Sequence, residues 1–238
     1  MKKSLAAGLL IFISAFSLFA ESKLSGTFME MDKNITDATV PEGVTEICDF
    51  AYYNCKNLSS INLPKSLKSI GSRAFSFCKK LSKIKLPKEV TTISQDAFSY
   101  CESLTKIVIP EGVRTIESGV FCGCVNLKEI SLPQTVTTIG PGAFSECKGL
   151  LSIELPETLS TINDEAFRGC KGLTSITLPD TISIVGYDIF ENCTNLKEIK
   201  MSRKLYDKLK KKEDIKKNFI KVYKSKIKFV KTKKSSKA

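Results

Sequence analysis

The sequence predicts an α/β solenoid built from seven full repeats, each contributing a parallel strand to one side and a short helix to the other. Three observations carry this reading. A 23-residue frame restarts without insertion from Val40 to Lys200, at Val40, Leu63, Leu86, Ile109, Leu132, Leu155 and Leu178. Within each copy the apolar spacing switches from helical to alternating. Equivalent slots hold equivalent residues, so stacked copies share one core that no single copy closes alone.

The chain opens on Met1-Lys2-Lys3, an apolar run from Leu5 to Phe19, and Ala20 before Glu21. A basic start, an apolar centre and a small final residue read as a secretory signal, residues 1–20. The run is interrupted by Gly8, Ser14 and Ser17 and is shorter than the roughly 20 residues that span a bilayer. No second hydrophobic span follows, so the mature protein is expected outside the cytoplasm, secreted, periplasmic or at the cell surface. Residues 21–39 read as a linker and a degenerate half-repeat, with Met29 in the aromatic slot and Asp32 in the cysteine slot, the polar end that a terminal unit needs.

Residues 40–200 are the repeat domain. From Ile70 through Ala74, Phe75, Cys78 and Leu81 the apolar steps suit one face of a helix. Counting Val40 as position one, position ten holds Asp49, Ser72, Gln95, Ser118, Pro141, Asp164 and Tyr187, mostly residues that start helices. Leu81-x-x-Ile84-x-Leu86 then alternates as a short strand, which Pro87 ends because it lacks an N–H donor. The aromatic slot runs Tyr52, Phe75, Phe98, Phe121, Phe144, Phe167 and Phe190, and the leucine slot runs unbroken from Leu58 to Leu196. These rows are expected to be core.

Seven of the nine cysteines occupy one slot, from Cys55 to Cys193. Side chains of one slot point the same way, whereas a disulfide needs converging Cβ vectors, so free buried thiols are expected. A one-dimensional row cannot make a tetrahedral zinc site, and the chain has no histidine. Cys48 and Cys122 stand outside the row; Cys122 is the candidate exposed thiol. Without histidine the commonest general base is missing, glycines stand singly rather than in a phosphate loop, and no catalytic, cofactor or metal residue is assigned.

The net charge of +12 is unevenly placed: residues 1–200 carry 21 basic and 22 acidic side chains, residues 201–238 carry 16 and 3. Residues 201–230 are expected to cap the last repeat, with a helix over Arg203 to Lys212 and short strands at Phe219–Tyr223 and Ile227–Val230. Residues 231–238 are a basic tail expected to be disordered. A polyanion or a membrane surface is therefore an alternative partner to protein, and specific nucleic-acid recognition finds no motif.

The frame LPxx(V/L)xxIxxxAFxxCxxLxxI, repeated seven times over 40–200, resembles the leucine-rich repeats of BspA-like bacterial surface proteins. The resemblance implies a right-handed leucine-rich repeat solenoid with its strands on the concave side, an exported and often cell-surface location, and attachment to host or bacterial proteins. Family architecture transfers more safely than ligand identity. On the outward positions of the strands, Lys83, Lys85, Lys106, Val108, Glu129 and Glu154 form the candidate protein-binding patch for an extracellular or surface partner. Aromatic residues and arginine, which dominate interface energetics, are missing from that face.

Overall fold

Alternation in Leu-x-x-Ile-x-Leu turns one residue in two toward the core, and the computed structural model builds a parallel ladder from it. The structure describes residues 23–24 and 34–231. The expected signal sequence, the slots of Met29 and Asp32, and all of the basic tail beyond Lys231 lie outside those residues. Strands Asp37–Thr39, Ser60–Asn62 and Lys83–Ile84 pair in that order, each offset by one repeat. Lys106–Val108 pairs with Glu129–Ser131, and Ser175–Thr177 pairs with Glu198–Met201. All of these pairs are parallel, and the solenoid advances by one strand per repeat.

A second parallel ladder was not legible in the sequence. Glu46–Ile47, Ser69–Ile70 and Thr92–Ile93 form one part of it, with Lys23–Leu24 at its edge. Thr115–Ile116, Thr138–Ile139, Thr161–Ile162 and Ile184–Val185 form the other. Each strand is two residues long, too short to display an alternation. The buried isoleucine in it was therefore read as the first turn of a helix.

That expected helix is absent: positions nine to nineteen of each repeat are a run of turns. The hydrogen bonds give the reason. Ala51, Tyr53 and Cys55 donate their N–H groups to Cys48, Phe50 and Tyr52 within their own repeat, at 3.2, 2.9 and 3.2 Å. The intervening Phe50, Tyr52 and Asn54 donate instead to Ser72, Ala74 and Ser76 of the next repeat, at 2.9, 2.7 and 2.8 Å. An α-helix would return every N–H to the residue four places back. Here every second one leaves for the neighbouring repeat, and the chain alternates between closing a turn and joining a ladder.

Alternation of this kind requires left-handed backbone. Positions eleven and fifteen have φ between 52° and 72° in all seven repeats, from Phe50 and Asn54 to Asp188 and Asn192. Glycine, asparagine and aspartate tolerate that region, and Gly119, Gly123, Gly142, Gly169, Asn54 and Asp96 stand there. The residues at position ten do not start helices. Asp49 Oδ1 accepts the Ser72 N–H at 2.6 Å, and Asp164 Oδ1 accepts the Tyr187 N–H at 2.8 Å, so these side chains tie one repeat to the next.

The core is a set of stacked rows. Tyr52, Phe75, Phe98, Phe121, Phe144 and Phe167 each stack on the next ring, with centroids 5.2–5.8 Å apart, and the row ends on Phe190. The alanine, cysteine and leucine slots beside it are buried throughout. At the C-terminal end the row is closed by Phe219 and Tyr223, at 6.5 and 5.7 Å from Phe190. They belong to a segment that opens with helix Arg203–Lys210, which Ser202 caps by accepting the Leu205 N–H and which buries Leu205 and Leu209 as expected. The strand expected at Phe219–Tyr223 is absent: Phe219 and Ile220 end a helical stretch and residues 221–223 are turn, and burial of Phe219, Ile220 and Tyr223 is a spacing a strand cannot place on one face. Ile227–Phe229 is a strand and pairs with Glu198–Met201.

Two substitutions test this architecture. Phe121→Ala is expected to lower stability by about 3–5 kcal/mol in denaturant unfolding, as for a fully buried aromatic. Gly142→Ala meets nothing closer than the Ser145 Cβ at 3.8 Å, yet its φ is +57°. A loss of about 1–2 kcal/mol from backbone strain alone is expected there, and a neutral result would contradict the left-handed turn.

Candidate functional site

Two surfaces present themselves, the strand face and the turn face. On the strand face Lys83, Lys106, Val108 and Glu129 lie on strands and Lys85 lies one residue past the end of Lys83–Ile84. Glu154 falls in a stretch without strand structure, and all six side chains are exposed. The structure joins only part of this set. Lys106 Nζ sits 2.7 Å from Glu129 Oε2 across adjacent strands. The hydrogen bond and the charge of Lys106 lower the Glu129 carboxyl below its ordinary value. The ladder breaks between Lys83–Ile84 and Lys106–Val108, which belong to different sheets. Lys83 and Lys85 therefore do not share one continuous sheet with Lys106.

The turn face holds a group that the sequence reading missed. Phe50, Tyr53, Phe77 and Tyr100 project from the first three repeats outside the core slots. Phe50 meets Tyr53 edge-on at 5.6 Å, Tyr53 meets Phe77 at 5.8 Å, and Phe77 stacks on Tyr100 at 4.7 Å. The Arg73 guanidinium lies over the Phe50 ring at 5.7 Å, and its Nε bonds Asp96 at 3.2 Å. Tyr53 and Tyr100 remain 39% and 41% exposed. Gly123 makes room for this arrangement, because a Cβ there would come within 2.6 Å of the Tyr100 ring. Phe50, Arg73, Phe77 and Tyr100 all occupy left-handed positions, where a bulky side chain is uncommon. The available signal was aromatic residues outside the repeat's aromatic slot.

Cys122, expected as the exposed thiol, is half-buried beside Tyr100. Burial and the nearby Asp96 carboxylate raise its thiol above the ordinary value, which opposes thiolate chemistry. All nine cysteines are free thiols. From Cys78 to Cys193 each Sγ–H donates to the carbonyl of the aromatic slot one repeat back, for example Cys78 to Tyr52, Cys101 to Phe75, Cys124 to Phe98 and Cys147 to Phe121, at 3.0–3.2 Å. The Tyr52 carbonyl already accepts the Cys55 N–H, so the thiol takes its second lone pair. The slot therefore serves hydrogen bonding as well as packing. An open depression of about 470 Å³ near Thr91, Gly112, Arg114 and Glu117 lies along the second ladder. It lacks the enclosure typical of small-molecule sites.

Burial raises Cys78, Cys101, Cys124 and Cys147 above the ordinary thiol value of 9.0. The unfolded chain then loses these protons first as pH rises, so their stabilisation is complete below pH 9 and is lost above it. Unfolding free energy is expected to fall beyond pH 9 by up to about 1.4 kcal/mol per pH unit for each such thiol. Denaturant titrations at pH 8, 9 and 10 measure this. Alkylation should reach the ladder cysteines only after unfolding.

No protein of curated function matches the chain. Among solved structures, a leucine-rich repeat protein from T. pallidum is similar at 32% identity and TM-score 0.65, over 83% of this chain and 87% of that one. A leucine-rich repeat protein from Bacteroides ovatus is similar at 26% identity and TM-score 0.63, over 83% of this chain and 54% of that one. One from Eubacterium ventriosum follows at 30% identity and TM-score 0.62, covering 67% and 43%. The chain thus spans about half the length of the second and less of the third. The BspA type leucine rich repeat region is matched in six copies, over residues 24–151 and 114–212. With parallel ladders, stacked aromatic rows and a strict 23-residue frame behind that match, the chain belongs to the BspA-type leucine-rich repeat family.

Proposed function

We propose that the protein is an exported, surface-associated binding module that docks another protein through the aromatic and arginine cluster on its turn face. One observation carries the reading: Phe50, Tyr53, Arg73, Phe77 and Tyr100 meet on one exposed surface. Tyrosine and arginine dominate binding energetics where they gather, and tyrosine offers large area at little rotamer cost. Phe77 and Tyr100 stack face to face, and the Tyr100 hydroxyl meets the Cys122 thiol, so the pair turns ring rims rather than open faces outward. Such rims suit a protein surface better than the flat face of a sugar. The backbone strain at these positions is a cost that folding does not need, since Gly119 and Gly123 fill the same slots in the next repeat. Family membership and the signal-like N-terminus support export. No helix among the described residues is long and apolar enough to cross a membrane. A solenoid of this family is typical of non-enzymatic repeat proteins, which accords with a binding role.

The strand-face set Lys83, Lys85, Lys106, Val108, Glu129 and Glu154 enters the proposal as the competing contact surface on the same protein. Val108 is exposed and the Lys106–Glu129 pair spans two rungs. Exposed ion pairs of this kind contribute little on their own.

Capture from surface and matrix proteins identifies the partner, and two variants then assign the face. Tyr53→Ser with Tyr100→Ser is expected to weaken attachment by at least tenfold, as for truncated hot spots. Lys83→Glu, Lys85→Glu and Lys106→Glu together should change affinity less and leave the melting temperature nearly unaltered. The reverse ranking moves the contact to the strand face. Unchanged attachment by both variants defeats the proposal.

A further inference from the structure

The C-terminal segment has an inner face that closes the repeat core and an outer face of a different chemistry. Three of its lysines serve the fold. Lys208 Nζ donates to the Ile182 carbonyl at 2.9 Å, Lys212 Nζ to Ser183 at 2.7 Å, and Lys226 Nζ to Leu196 at 2.5 Å. Lys216 pairs with Glu213 at 3.0 Å, and Arg203 with Asp207 at 3.4 Å. Lys204, Lys211, Lys217, Lys221, Lys224 and Lys228 are exposed, and none forms an ion pair with a carboxylate among the described residues. Positive charge on this surface is therefore only partly compensated by its own fold: three carboxylates face sixteen basic side chains in residues 201–238, and Lys217 and Lys221 act on Glu213, which Lys216 already pairs. It is also localised, because the rest of the chain carries nearly equal numbers of acidic and basic side chains.

Exposed apolar residues are interleaved with these lysines. Val222 follows Lys221 and is 61% exposed; Phe229 follows Lys228 and is 50% exposed, with exposed Val230 next in the chain. The Phe229 ring is held in place by Tyr206 at 5.3 Å and by the Arg203 guanidinium at 5.0 Å. A purely electrostatic partner, such as a sulfated glycan or a nucleic acid, gains nothing from Val222 and Val230. A bilayer interface gains from both classes of side chain: ammonium groups meet headgroup phosphates while apolar groups enter the acyl boundary.

We propose that the folded segment from Arg203 to Lys231 is a docking surface for an anionic phospholipid bilayer, with Lys221, Lys224 and Lys228 on headgroup phosphates and Val222 and Val230 at the acyl boundary. Phe229, which alternates to the other side of its strand, packs on Tyr206 and Arg203. The surface is independent of the aromatic cluster and lies at the opposite end of the repeat array, so one molecule can hold a lipid surface at its last repeat while its first repeats engage protein. Attachment through this surface is reversible and screened by salt, since no helix among the described residues is long and apolar enough to cross a membrane and the lysines act across water.

Cosedimentation of the full chain with phosphatidylcholine vesicles, with and without 30% phosphatidylglycerol, tests this. The apolar run Leu5 to Phe19 can bind either vesicle, so the readout is the increment that phosphatidylglycerol adds. That increment is expected to fall steeply with added salt. Lys221→Glu, Lys224→Glu and Lys228→Glu together should reduce it by about a hundredfold. Val222→Ser with Val230→Ser should reduce it several-fold while leaving any binding to heparin unchanged. Deleting residues 232–238 should retain most of it. No phosphatidylglycerol increment, an increment indifferent to the lysine variant, or one abolished by the deletion overturns the proposal. So does a valine variant that binds vesicles as the parent does while the lysine variant loses vesicles and heparin alike, because the surface is then a general polyanion site. Melting temperatures of the variants, all at exposed positions, confirm that each is folded.

Discussion

Every second N–H of the turn side belongs to the next repeat, and the rest of the structure follows from that division. A buried amide without a partner is costly, so each repeat must present its carbonyls at one fixed offset along the chain. The same offset governs both strand ladders, where partners differ by one 23-residue frame wherever one repeat pairs with the next. An inserted residue between Cys48 and Leu58 would shift a set of donors onto side chains. The unbroken frame from Val40 to Lys200 is the sequence's record of this requirement.

The same hydrogen bonds sort the slots into two kinds. Inward slots are filled uniformly by alanine-like, aromatic, cysteine and leucine residues, all buried, and each aromatic ring stacks on its counterpart one rung away. Outward slots at positions eleven and fifteen must hold left-handed backbone, and there the chain is not uniform. The first three repeats place Phe50, Arg73, Phe77 and Tyr100 in them; later repeats use Gly119, Gly123, Gly142 and Gly169 or the polar Glu146, Glu165, Asp188 and Asn192. Packing cannot explain the aromatics, since their rims face solvent. The array is thereby polarised, with aromatic and arginine chemistry near its first repeats and an excess of lysine beyond its last. Between them lies a face whose charges, like Lys106 and Glu129, largely satisfy each other.

Much of the core was legible. The buried rows from Phe75 to Phe167, the leucine slot and the cysteine slot are where periodicity puts them, and the helix Arg203–Lys210 buries the residues that its spacing selects. The errors share a cause. Apolar spacing of four, one, three and three is compatible with a helix, and it is equally compatible with successive turns that bury the same side chains. Two-residue strands such as Thr92–Ile93 carry no alternation to read. Phe219 to Tyr223 has a strand's composition, yet Phe219 and Ile220 end a helical stretch and turns follow to Tyr223. The aromatic cluster escaped because Phe50, Tyr53, Phe77 and Tyr100 stand in slots eleven, fourteen and fifteen, which most other repeats fill with small or polar residues, so no apolar row marks them.

The sequence by itself determined the period, the number of repeats, the identity of every core row and the separation of a neutral array from a basic end. These are properties of residue type at fixed spacing, and burial of apolar area depends on little else. Tertiary structure alone decided where each backbone N–H goes. Donation to the next repeat competes with donation within the turn, and the two differ in no side chain that a single repeat displays. The choice between them exists only once a second repeat is stacked beside the first, and it determines the left-handed positions, the second ladder and the surface on which the exposed aromatics meet.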